Sequence, residues 1–281
     1  MDLLISPRGM LGRAWNTLLE DKEQSFDSVS FPELDLTNKA TLTRVSQGKY
    51  RRVINCAAWT DVDGAEEREA EATAVNGDGV GRLAECCAEA GSVLVHYSTD
   101  YVFPGDAAQP YPVDGVHCPV NAYGRGKARG ETLIRQSGAE HLIVRTSWLY
   151  APWGKNFVLT MRKLGAQRDT LTVVDDQRGR PTSAQHLASA SLGLLEAGAR
   201  GTLHVTDGGE CTWHEFAQAV VATVNPDCDV QPCRSDAFPR PAVRPAYSVL
   251  DLSATEAILG AMPPWRDNLA AVLAAVPADG P

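Results

Sequence analysis

Short apolar, β-branched runs alternate with longer amphipathic stretches through the first half of the chain. That alternation is the mark of βαβ units arranged around a parallel sheet. Strands are predicted near Leu3–Ser6, Ser25–Ser30, Arg52–Cys56, Val93–Ser98 and His141–Arg145, with helices between them. The clearest helix runs from about Glu66 to Ala90, where Ala, Val and Leu recur at helical spacing among Glu and Arg. Consecutive parallel strands joined by helices give a doubly wound, Rossmann-type sheet, with ligands expected at the carboxyl ends of its strands. Ser6, Ala57-Ala58, Thr99 and Thr146-Ser147 all fall at such ends.

After Trp148 the pattern thins. Helices are predicted from Asn156 to Arg168, Ser183 to Gly198, Thr212 to Asn225 and Ala254 to Gly260, and strands near Leu171–Val174 and Thr202–Thr206. Pro and Gly become frequent, as in Phe238-Pro-Arg-Pro-Ala-Val-Arg-Pro245. The expected fold class is therefore α/β, a doubly wound parallel sheet with a smaller α/β substrate-binding lobe. Residues 1–147 form the dinucleotide-binding domain, to which later segments return, and 148–281 the partly interleaved lobe.

Composition narrows the partners. The chain has 281 residues, enough for one large domain or two modest ones, and a net charge of −9. That balance argues against nucleic acid or an anionic membrane as the main partner. No apolar stretch reaches the roughly 20 residues needed to cross a bilayer, and Met1-Asp-Leu-Leu-Ile-Ser6 carries no basic region before its apolar run. Seven unevenly spaced cysteines, two of them adjacent at Cys86-Cys87, point to a reducing, cytoplasmic setting. His117-Cys118 and Cys228-x4-Cys233 lack paired ligands at zinc-like spacing, so no metal site is expected.

The candidate chemistry centres on Tyr123 and Lys127. Positions i and i+4 share a helix face, so a phenol and an ammonium can address one small volume together. A tyrosine holds its proton too tightly to exchange it near neutral pH unless a cation stabilises the phenolate. The pair reads as a carbonyl-reducing site, and Thr99, at the carboxyl end of the run Val93-Leu-Val-His-Tyr-Ser98, can hydrogen-bond the carbonyl oxygen that Tyr123 addresses. The pair alone is a weak signal, equally suited to a surface helix. Its order after a strand, Ser98-Thr99 and a long loop strengthens it.

The loop Ser6-Pro-Arg-Gly9-Met-Leu-Gly12 supplies glycines after the first strand, where a dinucleotide fold needs a tight turn and close approach to pyrophosphate. Ser6 stands where the first glycine is usual, and Pro7 restricts it and removes a donor. No acid follows the second strand, where the chain has Ser30-Phe31, and Arg8 lies beside Gly9. A cation without an opposing acid favours the 2′-phosphate of NADPH over NADH.

These segments together resemble the extended short-chain dehydrogenase/reductases, and within them the dTDP-4-dehydrorhamnose reductases. The likeness is carried by Val53-Ile-Asn-Cys-Ala-Ala-Trp-Thr60 with Val62-Asp63, Ala74-Val-Asn76, and Ser98-Thr-Asp-Tyr-Val-Phe103. It continues through Asn121-Ala-Tyr-Gly-Arg-Gly-Lys127, Gly130-Glu131, Arg145-Thr-Ser-Trp-Leu-Tyr150 and Asn156-Phe157. Val174-Asp-Asp-Gln-Arg-Gly-Arg-Pro-Thr182, Arg244-Pro-Ala246 and Ser248-Val-Leu-Asp251 complete it, so it spans nearly the whole chain.

The resemblance implies reduction of the C4 ketone of dTDP-4-dehydro-L-rhamnose by NADPH, with NADH as the alternative. Thr99, Tyr123 and Lys127 are its catalytic set. It places the cofactor on Arg8, Gly9, Met10, Leu11, Gly12, Asp35, Leu36, Ala57, Ala58 and Thr60, together with Tyr123 and Lys127. Asp100, Tyr101, Trp148, Asn156, Arg178 and Arg244 would meet the dTDP-4-keto-6-deoxy sugar, the arginines gripping its diphosphate. Arg180 is a further arginine in that stretch. Asn76 serves either the site or a buried backbone bridge, and Asp63 is expected to cap the helix that follows Thr60. The resemblance also allows a homodimer. Two other readings stay open: a reductase of a related dTDP-4-keto-6-deoxyhexose in secondary metabolism, and a non-catalytic dinucleotide-binding regulatory subunit.

Overall fold

The computed structural model describes residues 1–277. Its centre is a six-stranded, all-parallel sheet built from β1 (Asp2–Ile5), β2 (Phe26–Val29), β3 (Arg52–Asn55), β4 (Val93–Thr99), β5 (His141–Thr146) and a late strand, Gly201–His204. The spatial order is β2-β1-β3-β4-β5 followed by 201–204. The chain therefore moves outward from β1 to β2, then crosses to the other side of β1 for β3. That reversal opens a crevice beyond the carboxyl ends of β1 and β3, the place where such sheets bind ligands.

The core strands read as unbroken apolar runs because both sheet faces are covered. Leu4, Ile54, Val95 and Val144 face a core completed by Trp15 and Leu19 of helix α1 (Met10–Asp21) and by Leu187 and Leu195 of a later helix, Ala184–Glu196. Leu3, Ile5, Val53, Leu94 and Ile143 face the opposite core, against α2 (Lys39–Gln47) and the helices that follow β3 and β4. β2, at the sheet edge, is only partly buried.

The single helix expected from Glu66 to Ala90 is instead segmented. α3 (Val62–Glu67) and α4 (Glu69–Thr73) break at Arg68, a π-helical turn spans Ala74–Gly79, and α5 (Val80–Ala90) ends at Gly91, whose φ is 67°. The wider turn carries Asn76, whose Oδ1 accepts from Trp59 N and whose Nδ2 donates to Trp59 O, each at 2.9 Å. Asn76 is thus the backbone bridge, pinning the loop after β3. Asp63 is not the cap of α3; the Asp61 carboxylate accepts from Gly64 N at 3.0 Å, and Asp63 receives Arg244 instead.

α6 (Ala122–Gln136) carries Tyr123 and Lys127 and packs against the π turn. Its glycines do different work. A Cβ on Gly130 would lie 2.3 Å from the Asn76 carbonyl oxygen, whereas one on Gly126 would meet nothing nearer than 3.5 Å. Gly126→Ala is therefore expected to stabilise the protein by up to about 1 kcal/mol through helix propensity. Gly130→Ala is expected to destabilise it by roughly 1–3 kcal/mol through overpacking. Urea unfolding of the two variants checks the opposite signs.

Beyond β5 come β6 (Leu149–Tyr150), α7 (Phe157–Gly165), β7 (Thr170–Val174), β8 (Arg178–Gly179), β9 (Thr182–Ser183), α8 (Ala184–Glu196) and β10 (Gly201–His204). β11 (Cys211–Thr212), α9 (Trp213–Val221), β12 (Asp229–Cys233), α10 (Ser253–Leu259) and α11 (Trp265–Ala274) follow. β7 pairs in parallel with β12, β6 in parallel with β9, and β8 antiparallel with β11. Tyr150, Phe216, Leu171, Val173, Val230, Trp265 and Leu269 form a third core beneath them. β12 and α11 are additions to the elements expected from the sequence. Pro232 sits within β12, which pairs only with β7 and so has the free edge that a proline tolerates.

Among the described residues no helix is long and apolar enough to cross a membrane, and no cluster of three or more His, Cys, Asp or Glu is placed to hold a metal ion.

Candidate active site

The first glycine loop keeps its shape without its first glycine. Ser6 takes φ 64°, the left-handed region that glycine enters without penalty. Gly9 N donates to Ser6 O at 3.2 Å, and Gly9 becomes the N-cap of α1. A Cβ on Gly12 would fall 2.0 Å from Ser6 O, so only glycine lets helix and loop touch. No side chain caps α1 and its first turn holds no acid. Its free amide groups and positive dipole end suit a pyrophosphate. Arg8 is exposed beside them, Met10 is half-buried and Leu11 is core.

Asp35 and Leu36 divide their roles. The Asp35 carboxylate accepts from Thr37 N at 2.8 Å and from its hydroxyl at 2.7 Å, while Leu36 is buried under α5. Asn38, not Asp35, caps α2. Ala57 is half-buried and Ala58 and Thr60 are exposed on the loop after β3, the parallel neighbour of β1.

Thr99 ends β4 and caps the short 3-10 turn Asp100–Val102, accepting from Tyr101 N at 3.1 Å and donating to Asp100 Oδ1 at 2.9 Å. Gly124 brings α6 onto this turn, since a Cβ there would lie 2.2 Å from Tyr101 O. Tyr123 is thereby set edge-on to Tyr101, with ring centroids 6.1 Å apart. Burial, and then the Asp100 charge, push the Tyr123 phenol above its ordinary value, against a smaller pull from the Thr99 hydroxyl. Lys127 does not produce the lowering expected of it: Nζ donates to Tyr97 O at 2.5 Å and lies 3.2 Å from His96 Nε2. Burial brings the Lys127 ammonium down to about 8.

Asp100 is 3% exposed, and burial raises its carboxyl to about 6, against hydrogen bonds from Ser248 and Thr99. A carboxyl whose folded value exceeds its unfolded one costs stability as pH rises between the two, and the cost stays constant above both. Asp100→Asn is therefore expected to stabilise the protein by about 2 kcal/mol at pH 7 and by little at pH 4. Urea unfolding at the two pH values reads the difference.

Trp148 also has a positive φ, 48°, and stacks on Trp213 at 3.6 Å with planes 11° apart. Gly179 underlies it, where a Cβ would come within 2.6 Å of the indole. The sequence gives no sign of Trp213 or Gly179, because their roles arise only when β8 and α9 meet. Asn156 has a structural role as well. It caps α7 by accepting from Leu159 N at 3.1 Å and donates to Ala151 O at 2.9 Å.

The arginines do not converge on one anion. Arg178 faces Glu210 at 3.4 Å and Glu215 at 3.8 Å, and Arg244 is held by Asp63 at 3.0 Å. Arg244 remains beside α3 and the Tyr101 turn, while Arg178 lies across the 246–248 segment. Arg180 lines a separate cleft of about 440 Å³ with Asp251, Glu256 and Trp265.

A Rossmann-type sheet with a glycine loop at one strand end and Thr, Tyr and Lys gathered near another defines a dinucleotide-dependent oxidoreductase of the short-chain dehydrogenase/reductase class. Residues 1–277 match the family described as RmlD substrate binding domain. A dTDP-4-dehydrorhamnose reductase of Streptomyces griseus is 40% identical over 284 residues, covering 98% of this chain and 93% of that protein. The crystal structure of a dTDP-4-dehydrorhamnose reductase from Clostridium acetobutylicum superposes with a TM-score of 0.94 at 37% identity, covering 98% of this chain and 99% of that one. One from Bacillus anthracis, in complex with NADP, gives 0.92 at 34% identity with the same coverage. The chain belongs to the dTDP-4-dehydrorhamnose reductase family.

Proposed function

We propose that this protein reduces the C4 ketone of dTDP-4-dehydro-L-rhamnose to dTDP-L-rhamnose, with NADPH as reductant. The observation that carries the reading is the junction of β4 and α6, where the Tyr123 phenol comes within the hydrogen-bonding reach of Thr99 and Lys127 follows one turn along the helix. Gly9, Gly12 and the uncapped start of α1 form the cradle for the cofactor's pyrophosphate, and the loop of Ala57, Ala58 and Thr60 lines its other wall. Bound NADPH supplies the hydride that turns the ketone into an alkoxide.

The residues do the rest. Tyr123 is fully protonated at neutral pH and gives its phenolic proton to the alkoxide oxygen. Thr99 orients that oxygen by hydrogen bonding once its single hydroxyl proton turns from Asp100 Oδ1 to the substrate. Lys127 carries the positive charge that makes the departing phenolate tolerable. Tyr101 and Trp148 bound the sugar, Asp100 fixes the Thr99 hydroxyl, and Arg178 and Arg244 exchange their carboxylate partners for the diphosphate.

The test is NADPH oxidation, followed by absorbance, across epimeric dTDP-4-keto-6-deoxyhexoses. Preference for the rhamnose precursor is expected; a clear preference for another epimer would favour the second reading, a related sugar of secondary metabolism. That reading draws on Trp59, Arg178 and Arg180, which stand at unusual positions. A folded protein that binds the sugar nucleotide and turns over none of them would favour a regulatory subunit.

A further inference from the structure

His96 lies in the middle of β4, fully buried, and takes no part in the chemistry assigned above. Both its ring nitrogens are engaged. Nδ1 is 3.1 Å from Asn55 Nδ2, and Nε2 is 3.2 Å from Lys127 Nζ. The orientation of Asn55 is decided by its other contact, because Oδ1 faces Ala57 N at 3.1 Å and a backbone N–H can only donate. Asn55 Nδ2 therefore donates to Nδ1, which must present a lone pair. A neutral imidazole then carries its proton on Nε2.

That proton points at Lys127. An ammonium has three donors and no lone pair, so it cannot accept from Nε2–H, whereas an uncharged amine can. The amine also satisfies its second contact by donating to Tyr97 O. Lys127 acts on His96, and Glu131 acts on both; Glu131 is one turn further along α6 and already occupied by Arg145 and Arg135. β3 contributes uncharged Asn55, and β4 contributes the Tyr97 carbonyl. Among the described residues no carboxylate lies within ion-pair distance of Lys127. Burial favours the uncharged form of both Lys127 and His96.

We propose that His96 is a positioning residue that weakens the hold of Lys127 on its proton, its tautomer dictated through Asn55 by the Ala57 N–H. Ala57 belongs to the loop assigned to the cofactor, so the chain Ala57, Asn55, His96, Lys127 couples that loop to the proton held by the lysine. The inference rests on the reading that Lys127 serves Tyr123.

Two measurements test it. In cofactor-free protein labelled with ¹⁵N-histidine, the ring shifts of His96 should report a neutral ring protonated on Nε2 at pH 7; a ring protonated on Nδ1, or an imidazolium, would overturn the proposal. The second uses Asn55→Asp, which keeps the acceptor for Ala57 N but replaces the donor to Nδ1 by an acceptor. The ring must then carry its proton on Nδ1 and offer Nε2 to an ammonium. The basic limb of the kcat/KM pH profile should move upward by about one unit or more; an unmoved limb in a folded variant overturns the coupling. Should that variant not fold, the tautomer of the wild-type ring decides alone. Full turnover by Tyr123→Phe would remove the catalytic reading while leaving the tautomer result standing, so the two failures are distinguishable.

Discussion

Tyr123→Phe is expected to lower turnover by about 10²–10⁴-fold with little change in fold or in NADPH binding. The substitution deletes one oxygen and leaves the ring edge-on to Tyr101. Among the described residues, the hydroxyl has no hydrogen-bonding influence other than that of Thr99. The remaining Thr99 hydroxyl can polarise a ketone only by turning its single proton away from Asp100, and an aliphatic alcohol is too weak an acid to give that proton up. The assay is NADPH oxidation with dTDP-4-dehydro-L-rhamnose generated in the cuvette. Thermal unfolding and NADPH fluorescence titration serve as controls. Turnover within about tenfold of the wild type would remove Tyr123 as the acid.

The second large effect belongs to a residue without catalytic duty. Glu131 is completely buried on the inner face of α6. It receives Arg145 Nε at 2.9 Å and Arg145 Nη2 at 2.8 Å, with Ser98 Oγ and an Arg135 nitrogen each at 2.6 Å. Arg145 is 1% exposed and extends the network to Val113 O and His204. This ties α6 to β4 and β5 within one turn of Lys127. Glu131→Gln leaves the Arg145 guanidinium buried without its counter-charge, and a loss of about 3–5 kcal/mol is expected. Against a typical total of about 5–15 kcal/mol that is a large share.

The pH dependence gives the same conclusion a second handle. Burial pushes the Glu131 carboxyl upward, but hydrogen bonds from Arg145, His117 and Ser98, with the charge of Arg145, outweigh it and hold the group well below 4.5. A depressed folded value means that the stabilisation is present above the unfolded value and is lost as pH falls through the folded one. Urea midpoints of wild type and Glu131→Gln should therefore differ most at neutral pH and converge in acid. A constant gap across that range would show that the ion pair is not its source.

What the sequence disclosed, and what it withheld, follows from how far each feature depends on distant partners. Leu3–Ile5, Val53–Ile54 and Leu94–Val95 announce buried parallel strands because both faces are covered, so their apolar runs need no register to be recognised. Tyr123 and Lys127 announce themselves by spacing along one helix. The arrangement around them was not legible. Gly124 matters because Tyr101 O presses on it, Trp213 because Trp148 stacks on it, and His96 because Asn55 and Lys127 bracket it. Arg244 and Asn156 carry suitable chemistry for a sugar nucleotide, yet Asp63 and the start of α7 engage them in this structure. Two-residue pairings such as β6 with β9 are too short to leave any periodic trace. The interruption at 74–79 is likewise hidden, because alanine-rich sequence reads as one helix whether or not a π turn widens it.

The outermost strand of the sheet has a consequence for how the chain is made. β10 pairs with β5, Gly201 to His204 beside Leu142 to Arg145, after the chain has first traced β6 to β9 and α7 to α8. During synthesis the backbone groups along that side of β5 emerge from the ribosome well before their partner exists. An open, flat edge of this kind is a template for strands of other molecules. The growing chain carries β5 as its open edge while residues 147 to 200 are being added, and the arrival of 201 to 204 moves that edge to a four-residue strand too short to be a good template.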